Sequence, residues 1–172
     1  DPDIVAKITS GRVHDIRPCV GANVCIARAL AGGPIRCIHN PEAAREHEWG
    51  KAEPAATAKR VAVIGGGPAG LEAARVAALC GHDVTLIERS DELGGRVLLA
   101  LIPPGRREWR RLIDHKIGEL ERLGVSIELG REGGAEAVAQ RRPDAVLVAT
   151  GAVPAMPDVE GIRRPHVQWL DA

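Results

Sequence analysis

Aromatic side chains are almost absent from this 172-residue sequence, which contains no Phe, no Tyr and only three Trp. Val, Leu, Ile and Ala must therefore form its hydrophobic core. Strands rich in these aliphatic residues are typical of parallel sheets that are covered on both faces. The composition thus favours an α/β fold.

The sequence also has no excess charge and no long hydrophobic run. Its 23 Lys and Arg side chains balance its 23 Asp and Glu side chains, so no net charge attracts nucleic acid or a membrane surface. No stretch approaches the ~20 apolar residues of a transmembrane helix, and the first residues lack the charged and apolar regions of a secretory signal. We therefore expect a cytoplasmic protein without a nucleic-acid or membrane partner.

Three regions follow one another along the chain. Residues 1–46 contain a short helix over Asp3–Ser10 and a loop-rich stretch with three cysteines, and residues 47–60 form a polar linker rich in Ala and Pro. Residues 61–172 alternate between short apolar strands and helices. The predicted strands are Val61–Ile64, Asp83–Glu88, Val125–Leu129 and Ala145–Ala149, and the predicted helices are Ala69–Cys80, Arg106–Leu123 and Ala135–Gln140. This alternation predicts right-handed βαβ crossovers, and hence a Rossmann-like parallel sheet of the FAD- or NAD(P)-binding type.

A glycine-rich loop joins the first predicted strand to the first helix of this sheet. Gly65, Gly67 and Gly70 stand at the G-x-G-x-x-G positions, with Pro68 and Ala69 between them. The first glycine permits a tight turn, the second lets a pyrophosphate approach the backbone, and the third lets the helix pack closely on the strand. Free amides at the helix start then face the phosphates. The loop predicts a site for the ADP part of a dinucleotide.

An acidic residue closes the second predicted strand about twenty residues after the loop, as this type of site requires. Glu88, followed by Arg89, can accept hydrogen bonds from the ribose hydroxyls, and its carboxylate would repel the 2′-phosphate of NADP. The alternative, a glycine-rich turn without a ligand, is disfavoured because strand, loop, helix and acidic residue all agree.

Two later segments favour FAD as the dinucleotide. Gly95 and Arg96 end the run Glu-Leu-Gly-Gly-Arg after the second strand, and Ala149, Thr150 and Gly151 close the fourth strand. Both segments resemble stretches that approach FAD in flavoprotein oxidoreductases of the glutathione-reductase type. Each taken alone could also be a simple turn or strand end.

Three cysteines lie within nineteen residues, in the stretch IRPCVGANVCIARALAGGPIRCIHN. In the reducing compartment that we expect, clustered cysteines such as Cys19, Cys25 and Cys37 are more often metal ligands than disulfide partners. The fourth cysteine, Cys80, falls in a predicted helix of the sheet domain. We expect it to be a small buried hydrophobic residue there.

The cysteine stretch resembles the iron–sulfur segment of the trimethylamine dehydrogenase and 2,4-dienoyl-CoA reductase family, which belongs with the Old Yellow Enzyme-like flavoproteins. The family pattern is R-P-C-x-G-C-N-x-C, then Gly-Gly, then a fourth Cys followed closely by Asn, and its four thiolates hold a 4Fe–4S cluster. The matching residues are Arg17, Pro18, Cys19, Gly21, Asn23, Cys25, Gly32, Gly33, Cys37 and Asn40. The second ligand position is Ala22. The alternatives are therefore a fourth ligand such as His39 or water, a 3Fe–4S cluster, zinc held as Cys₃His, or a loop without metal.

The resemblance covers nearly the whole chain and implies that it is part of a longer polypeptide. Residues 1–46 would be the end of an FMN-binding barrel and the iron–sulfur-type segment, residues 47–60 a linker, and residues 61–172 the N-terminal part of an FAD- or ADP-binding domain. The rest of the barrel and a second dinucleotide domain would flank the chain, NAD(P)H is a further candidate partner, and the full-length protein is expected to be a homo-oligomer. No catalytic residue is predicted within the chain.

Two functions follow from these features. The first is the electron-transfer and nucleotide-binding portion of an iron–sulfur flavin oxidoreductase, acting as an NADH:flavin oxidoreductase or an amine dehydrogenase. The second is an ADP-binding structural module without redox chemistry, in which Ala22 has abolished the cluster.

Overall fold

Four parallel strands form the central sheet of the computed structural model, which describes residues 1–49, 52–153 and 155–167. The strands are β1 (Arg60–Ile64), β2 (Asp83–Ile87), β3 (Ser126–Glu128) and β4 (Ala145–Val148). Their order is β3-β2-β1-β4, and all three strand pairs are parallel. The predicted Rossmann-like sheet is confirmed, with strand bounds within two residues of the prediction.

Seven α-helices accompany the sheet in the described residues. They are α1 (Ile4–Thr9), α2 (Val24–Leu30), α3 (Glu46–Trp49), α4 (Pro68–Leu79), α5 (Val97–Ala100), α6 (Arg110–Arg122) and α7 (Ala135–Arg141). Short 3₁₀ turns cover Val13–Asp15 and Arg107–Trp109. The predicted helix over Arg106–Leu123 therefore begins as a 3₁₀ turn and becomes α-helical only at Arg110.

Local sequence explains where the two main helices begin and end. Helix α4 has Pro68 at its first position, where the missing N–H costs no hydrogen bond. Helix α6 is followed by Gly124, whose φ of 72° provides the left-handed residue that commonly ends a helix. These two helices pack against each other on one face of the sheet.

Two parts of the N-terminal region are more regular than the sequence predicted. Helix α2 lies inside the stretch predicted to be loop-rich, and α3 overlaps the start of the predicted linker. Helix α2 has no buried residue, so its apolar side chains do not enter the core. Asn23 before it has a φ of 56°, a left-handed conformation that Asn adopts more readily than most residues.

The hydrophobic core lies between the sheet and helices α4 and α6. Its fully buried side chains include Val63, Leu71, Leu86, Ile113 and Leu120. Val20, from the cysteine segment, is 5% exposed and belongs to the same cluster. The N-terminal segment is thus packed onto the sheet domain through apolar contact.

Among the described residues, strand β4 has only β1 as a neighbouring strand, and its side chains are largely exposed. Val146, Leu147 and Val148 are 42%, 40% and 75% exposed. Since successive residues of a strand point to opposite faces, both faces of β4 are uncovered. An apolar parallel strand is normally buried on both faces, so the described part of the chain leaves this edge of the sheet uncovered.

Candidate nucleotide-binding site

The sheet topology provides a crevice at the carboxyl ends of β1 and β4. The chain runs from β1 to β2 and β3 on one side, and then returns to place β4 on the other side of β1. Open α/β sheets bind ligands at such a topological switch point. The glycine-rich loop that follows β1 lies at this point.

Two of the three motif glycines have no room for a side chain. A Cβ atom on Gly65 would lie 2.3 Å from the carbonyl oxygen of Ala149, and its φ of 106° excludes most other residues. A Cβ atom on Gly70 would lie 1.8 Å from the carbonyl oxygen of Gly65. These glycines therefore allow β1, α4 and the end of β4 to approach one another.

Gly67 is different, because a Cβ atom there would meet no protein atom within 4 Å. Its φ of −75° is also open to any residue. Gly67 is the N-cap of α4, and no side chain of the described residues caps that helix. The first amides of α4 therefore have no side-chain acceptor, and the space above Gly67 is clear for a phosphate group. Pro68 and Ala69, the next two predicted site residues, are exposed beside it.

Glu88 lies directly after β2 and points back to the glycine loop. Its Oε2 accepts a hydrogen bond from the amide of Gly66 at 2.5 Å, and its Oε1 accepts one from the amide of Ser90 at 2.8 Å. Burial raises the pKa of Glu88, but the backbone hydrogen bonds from Ser90 and Gly66 outweigh this effect and lower the pKa overall. The side chain is therefore a fixed carboxylate at the position predicted for ribose recognition. Arg89 beside it is exposed.

The Glu-Leu-Gly-Gly-Arg segment covers the other side of the glycine loop. The amide of Gly94 donates to the carbonyl of Gly66 at 2.9 Å. A Cβ atom on Gly95 would lie 3.0 Å from the Cα of Gly67, so this contact needs a glycine. Arg96 follows on the exposed surface.

The end of β4 is the last of the segments that meet at the glycine loop. The amide of Ala149 donates to the carbonyl of Ile64 at 2.8 Å, and the carbonyl of Ala149 lies against Gly65. Thr150 is in contact range of the same glycine, and Gly151 has a φ of 79°. The structure thus brings together the glycine loop, Glu88, the Gly-Gly segment and the Ala-Thr-Gly strand end.

Two residues that the sequence did not single out help to form the site. A Cβ atom on Gly66 would lie 2.4 Å from the side chain of Leu93, which is 4% exposed and packs over the loop. The unbroken Gly-Gly-Gly run was the only sequence signal for Gly66. The signal for Leu93 was its place between the acidic residue and the Gly-Gly pair. Taken together, these contacts form a glycine-lined cradle at the position predicted for the pyrophosphate and ribose of an ADP moiety.

Unlike the residues of the candidate nucleotide site, the cysteines do not form a close group. Cys19 and Cys37 are exposed, Cys25 is half-buried, and all are free thiols. Among the residues that the structure describes, no three His, Cys, Asp or Glu side chains are grouped closely enough to hold a metal ion. The ligands of a four-thiolate cluster are therefore not present as a set. Cys80, which was predicted to be buried, is half-exposed at the end of α4.

His39, the predicted substitute ligand, faces the interior. It is 2% exposed, its Nδ1 lies 2.9 Å from the carbonyl oxygen of Pro18, and its ring packs edge-on against His115 with 5.0 Å between the centroids. Burial lowers the pKa of His39 to about 4, so the imidazole is neutral at physiological pH. It joins the cysteine segment to α6.

Fold and site together define a nucleotide-binding domain of flavoprotein type. The family model of pyridine nucleotide-disulphide oxidoreductases matches residues 30–132 and 59–171. The chain belongs to that family, and within the flavoproteins it is a fragment of the trimethylamine dehydrogenase and 2,4-dienoyl-CoA reductase type that the cysteine segment predicted.

Individual relatives agree with this assignment. The chain is 45% identical over 158 residues to a probable N-methylproline demethylase of Rhizobium meliloti (strain 1021), covering 90% of this chain and 23% of that protein. Solved structures of 2-naphthoyl-CoA reductase and of histamine dehydrogenase from Rhizobium sp. 4-9 are each 35% identical to it. The TM-scores are 0.89 and 0.84, with 96% and 92% of this chain and 25% of each solved chain covered.

The chain therefore spans about a quarter of the length of these relatives. The relatives are oxidoreductases and dehydrogenases, so the chain corresponds to a part of such an enzyme. No helix in the described ranges has the length and apolarity that crossing a membrane requires.

Proposed function

We propose that this chain is the nucleotide-binding and electron-transfer portion of a flavin-dependent oxidoreductase, and that its glycine loop holds the ADP half of FAD or ADP itself. The observation that carries the proposal is the open space above Gly67, next to the uncapped start of α4. Glu88 stands at the position from which a carboxylate accepts ribose hydroxyl hydrogen bonds. The fixed negative charge of Glu88 disfavours NADP at this site.

Within the flavin oxidoreductases we favour oxidation of a small N-methylated amine in the intact protein over reduction by NADH. This choice is supported by the relative with 45% identity, which is by name a demethylase of N-methylproline. The reductase among the solved relatives represents the other class at 35% identity. Residues that act on the substrate would lie outside this chain.

The nucleotide proposal is tested by releasing the bound nucleotide from the intact protein. We expect denaturation to release one FAD or ADP per polypeptide at this site, identified by mass spectrometry and distinguished from any FMN bound elsewhere. The substitution Gly67→Val would fill the space above the loop and remove this nucleotide. Gly118→Ala is the control, because a Cβ atom there meets only the mobile end of Arg122 at 3.3 Å.

A protein that is folded but contains neither FAD nor ADP would refute the nucleotide proposal. The reaction class is tested separately, by reducing the intact protein anaerobically with NADH or with N-methylated amines. Flavin reduction by NADH alone would refute the amine assignment while leaving the nucleotide proposal in place.

The second candidate is an ADP-binding structural module without redox function. It is favoured by one observation: Ala22 stands at a ligand position of the cysteine pattern and packs against the hydrophobic core. Bound ADP and no electron exchange with the flavin of the intact protein would support it. Iron binding by Cys19, Cys25 and Cys37 stays a prediction.

A further inference from the structure

The cysteine segment offers three thiols where a four-thiolate cluster needs four. Cys19, Cys25 and Cys37 are the only cysteines in it, and the remaining Cys80 ends helix α4. The backbone of Cys80 bonds to Ala55 in the linker, since the amide of Ala55 donates to its carbonyl at 2.9 Å. Cys80 is therefore committed to a different part of the fold.

The missing position is occupied by a side chain that cannot bind iron. Ala22 is partly buried against the core cluster that also contains Val20. It lines the same cavity as Cys19, an open depression of about 590 Å³ that is also lined by Trp109 and Arg106. A thiol at position 22 would therefore face the space beside Cys19, where the methyl group of Ala22 now makes apolar contact.

His39 is held in the interior. Its Nδ1 is engaged with Pro18, and its ring lies against His115. Its Nε2 is buried and has no hydrogen-bond partner among the described residues. No three His, Cys, Asp or Glu side chains of those residues lie close enough together to hold a metal ion, so His39 and two of the cysteines do not form a set of ligands. The amide of His39 donates to the sulfur of Cys37 at 3.4 Å.

Side-chain contacts hold the segment in place instead. Arg17 donates to Asn40 within the segment, which joins its beginning to its end. Arg75 of α4, only 5% exposed, pairs with Glu42 at 3.4 Å. Together with Val20 in the core, these contacts anchor both ends of the segment.

From this arrangement we infer that the cysteine segment does not carry a four-thiolate iron–sulfur cluster, that it is folded by its own contacts, and that position 22 is the ligand position it lacks. The inference goes beyond the nucleotide proposal, because it concerns a separate segment and does not depend on which nucleotide is bound.

The test is metal and sulfide analysis of the intact protein, purified without air and after reconstitution with iron and sulfide. We expect far less than one iron per polypeptide in the natural protein, and no cluster signal by EPR or Mössbauer spectroscopy. The variant Ala22→Cys is expected to gain about four irons per polypeptide together with sulfide. The control Ala22→Ser introduces a side chain of nearly the same size as cysteine and should gain no iron.

Each outcome decides one part of the inference. Stoichiometric iron and sulfide in the natural protein, as a 4Fe–4S cluster or as a 3Fe–4S cluster on three thiolates, would overturn the claim that the segment is folded by its own contacts, and stoichiometric zinc would overturn the same claim. An Ala22→Cys protein that keeps its nucleotide but takes up no iron would refute the assignment of position 22. Nucleotide content is measured on the same samples, so that a failure of the nucleotide proposal can be distinguished from a failure of the inference on the cysteine segment.

Discussion

Even within one motif of this chain, single glycines differ sharply in whether they tolerate a side chain. Gly67 and Gly70 belong to the same G-x-G-x-x-G pattern and lie three residues apart. One faces open space, and the other touches the backbone of Gly65. The first is therefore expected to serve the ligand, and the second serves the packing of α4 on the loop.

This difference leads to a prediction on stability. Gly70→Ala would place a Cβ atom 1.8 Å from a backbone oxygen that cannot move without displacing β1 and its loop. Overpacking of this kind costs about 3 kcal/mol or more, measurable as a loss in the free energy of unfolding by urea denaturation. The matched variant Gly67→Ala should change that free energy by less than about 0.5 kcal/mol. Equal effects of the two substitutions would contradict the distinction.

A second residue of interest is Glu72, which neutralises two buried cations. It pairs with Arg75 at 2.7 Å and with Lys116, and these side chains are only 6% and 5% exposed. Burial raises the pKa of Glu72, but the partners outweigh this and lower it from 4.5 to about 2. The carboxylate therefore contributes stability that is fully present above about pH 4.5, and this contribution is lost as the pH falls toward 2.

Replacing this carboxylate should flatten the pH dependence. Glu72→Gln leaves Arg75 and Lys116 buried without their main counter-charge, and breaking a buried pair costs about 3 kcal/mol near neutral pH. Denaturant unfolding measured from pH 6 down to about pH 3 should then show a smaller loss of stability in the variant than in the natural chain. The control is Glu108→Gln, because Glu108 and its partner Arg111 are 65% and 55% exposed. If the stability of Glu72→Gln fell with pH in parallel with that of the natural chain, Glu72 would not be the source of this pH dependence.

At the scale of elements, helix α6 shows how a local conflict is resolved by tertiary neighbours. Four arginines stand at or just before its start, where the helix dipole disfavours positive charge. Arg110 pairs with Asp114 at 2.8 Å and with Glu92, and Arg111 pairs with Glu108 at 3.1 Å. The 3₁₀ turn that precedes α6 also moves Arg107 outside the α-helix proper. Acidic neighbours therefore offset the unfavourable charge.

The opposite face of α6 holds the sheet domain together, and its contribution can be measured. Leu120 is fully buried against the core shared with α4, so Leu120→Ala removes apolar contacts and leaves a cavity. Such truncations cost about 2–5 kcal/mol. Leu99→Ala is the control, because Leu99 is 40% exposed on α5. Thermal unfolding should show a large decrease in midpoint for the first variant and a small one for the second, and similar midpoints would contradict this assignment of the core.

At the scale of the whole molecule, the chain leaves several apolar elements uncovered. Leu30 on α2 and Val148 on β4 are 85% and 75% exposed. Large exposed apolar patches commonly mark surfaces that are covered by another domain or subunit. The relatives are about four times longer than this chain, which leaves ample sequence to cover them.

We therefore predict that the chain on its own associates with itself as its concentration rises, as measured by sedimentation velocity. The double variant with Leu30→Ser and Val148→Ser should weaken this association. Ile102→Ser removes a similar apolar side chain, 77% exposed, from a loop outside both elements and should have little effect. A natural chain that stays monomeric at high concentration would refute the prediction.

The sequence by itself determined the sheet and most of the residues that meet at the candidate nucleotide site. Periodic apolar strands, the glycine loop and the acidic end of β2 are local signals, because each depends on backbone conformation or on residues close together in the chain. They were sufficient to predict the parallel fold, and the structure places Gly65, Gly70, Glu88 and Ala149 around one loop.

Only the tertiary structure decided the state of the cysteine segment and of the buried charges. Helix α2 buries none of its residues, His39 turns inward toward Pro18 and His115, and Arg75 reaches Glu42 across a long sequence separation. These choices depend on contacts between segments far apart in the chain, for which no local pattern exists. The number of cysteines in the segment can be counted in the sequence. The contacts that hold the segment in place cannot be predicted from it, because they join residues far apart in the chain.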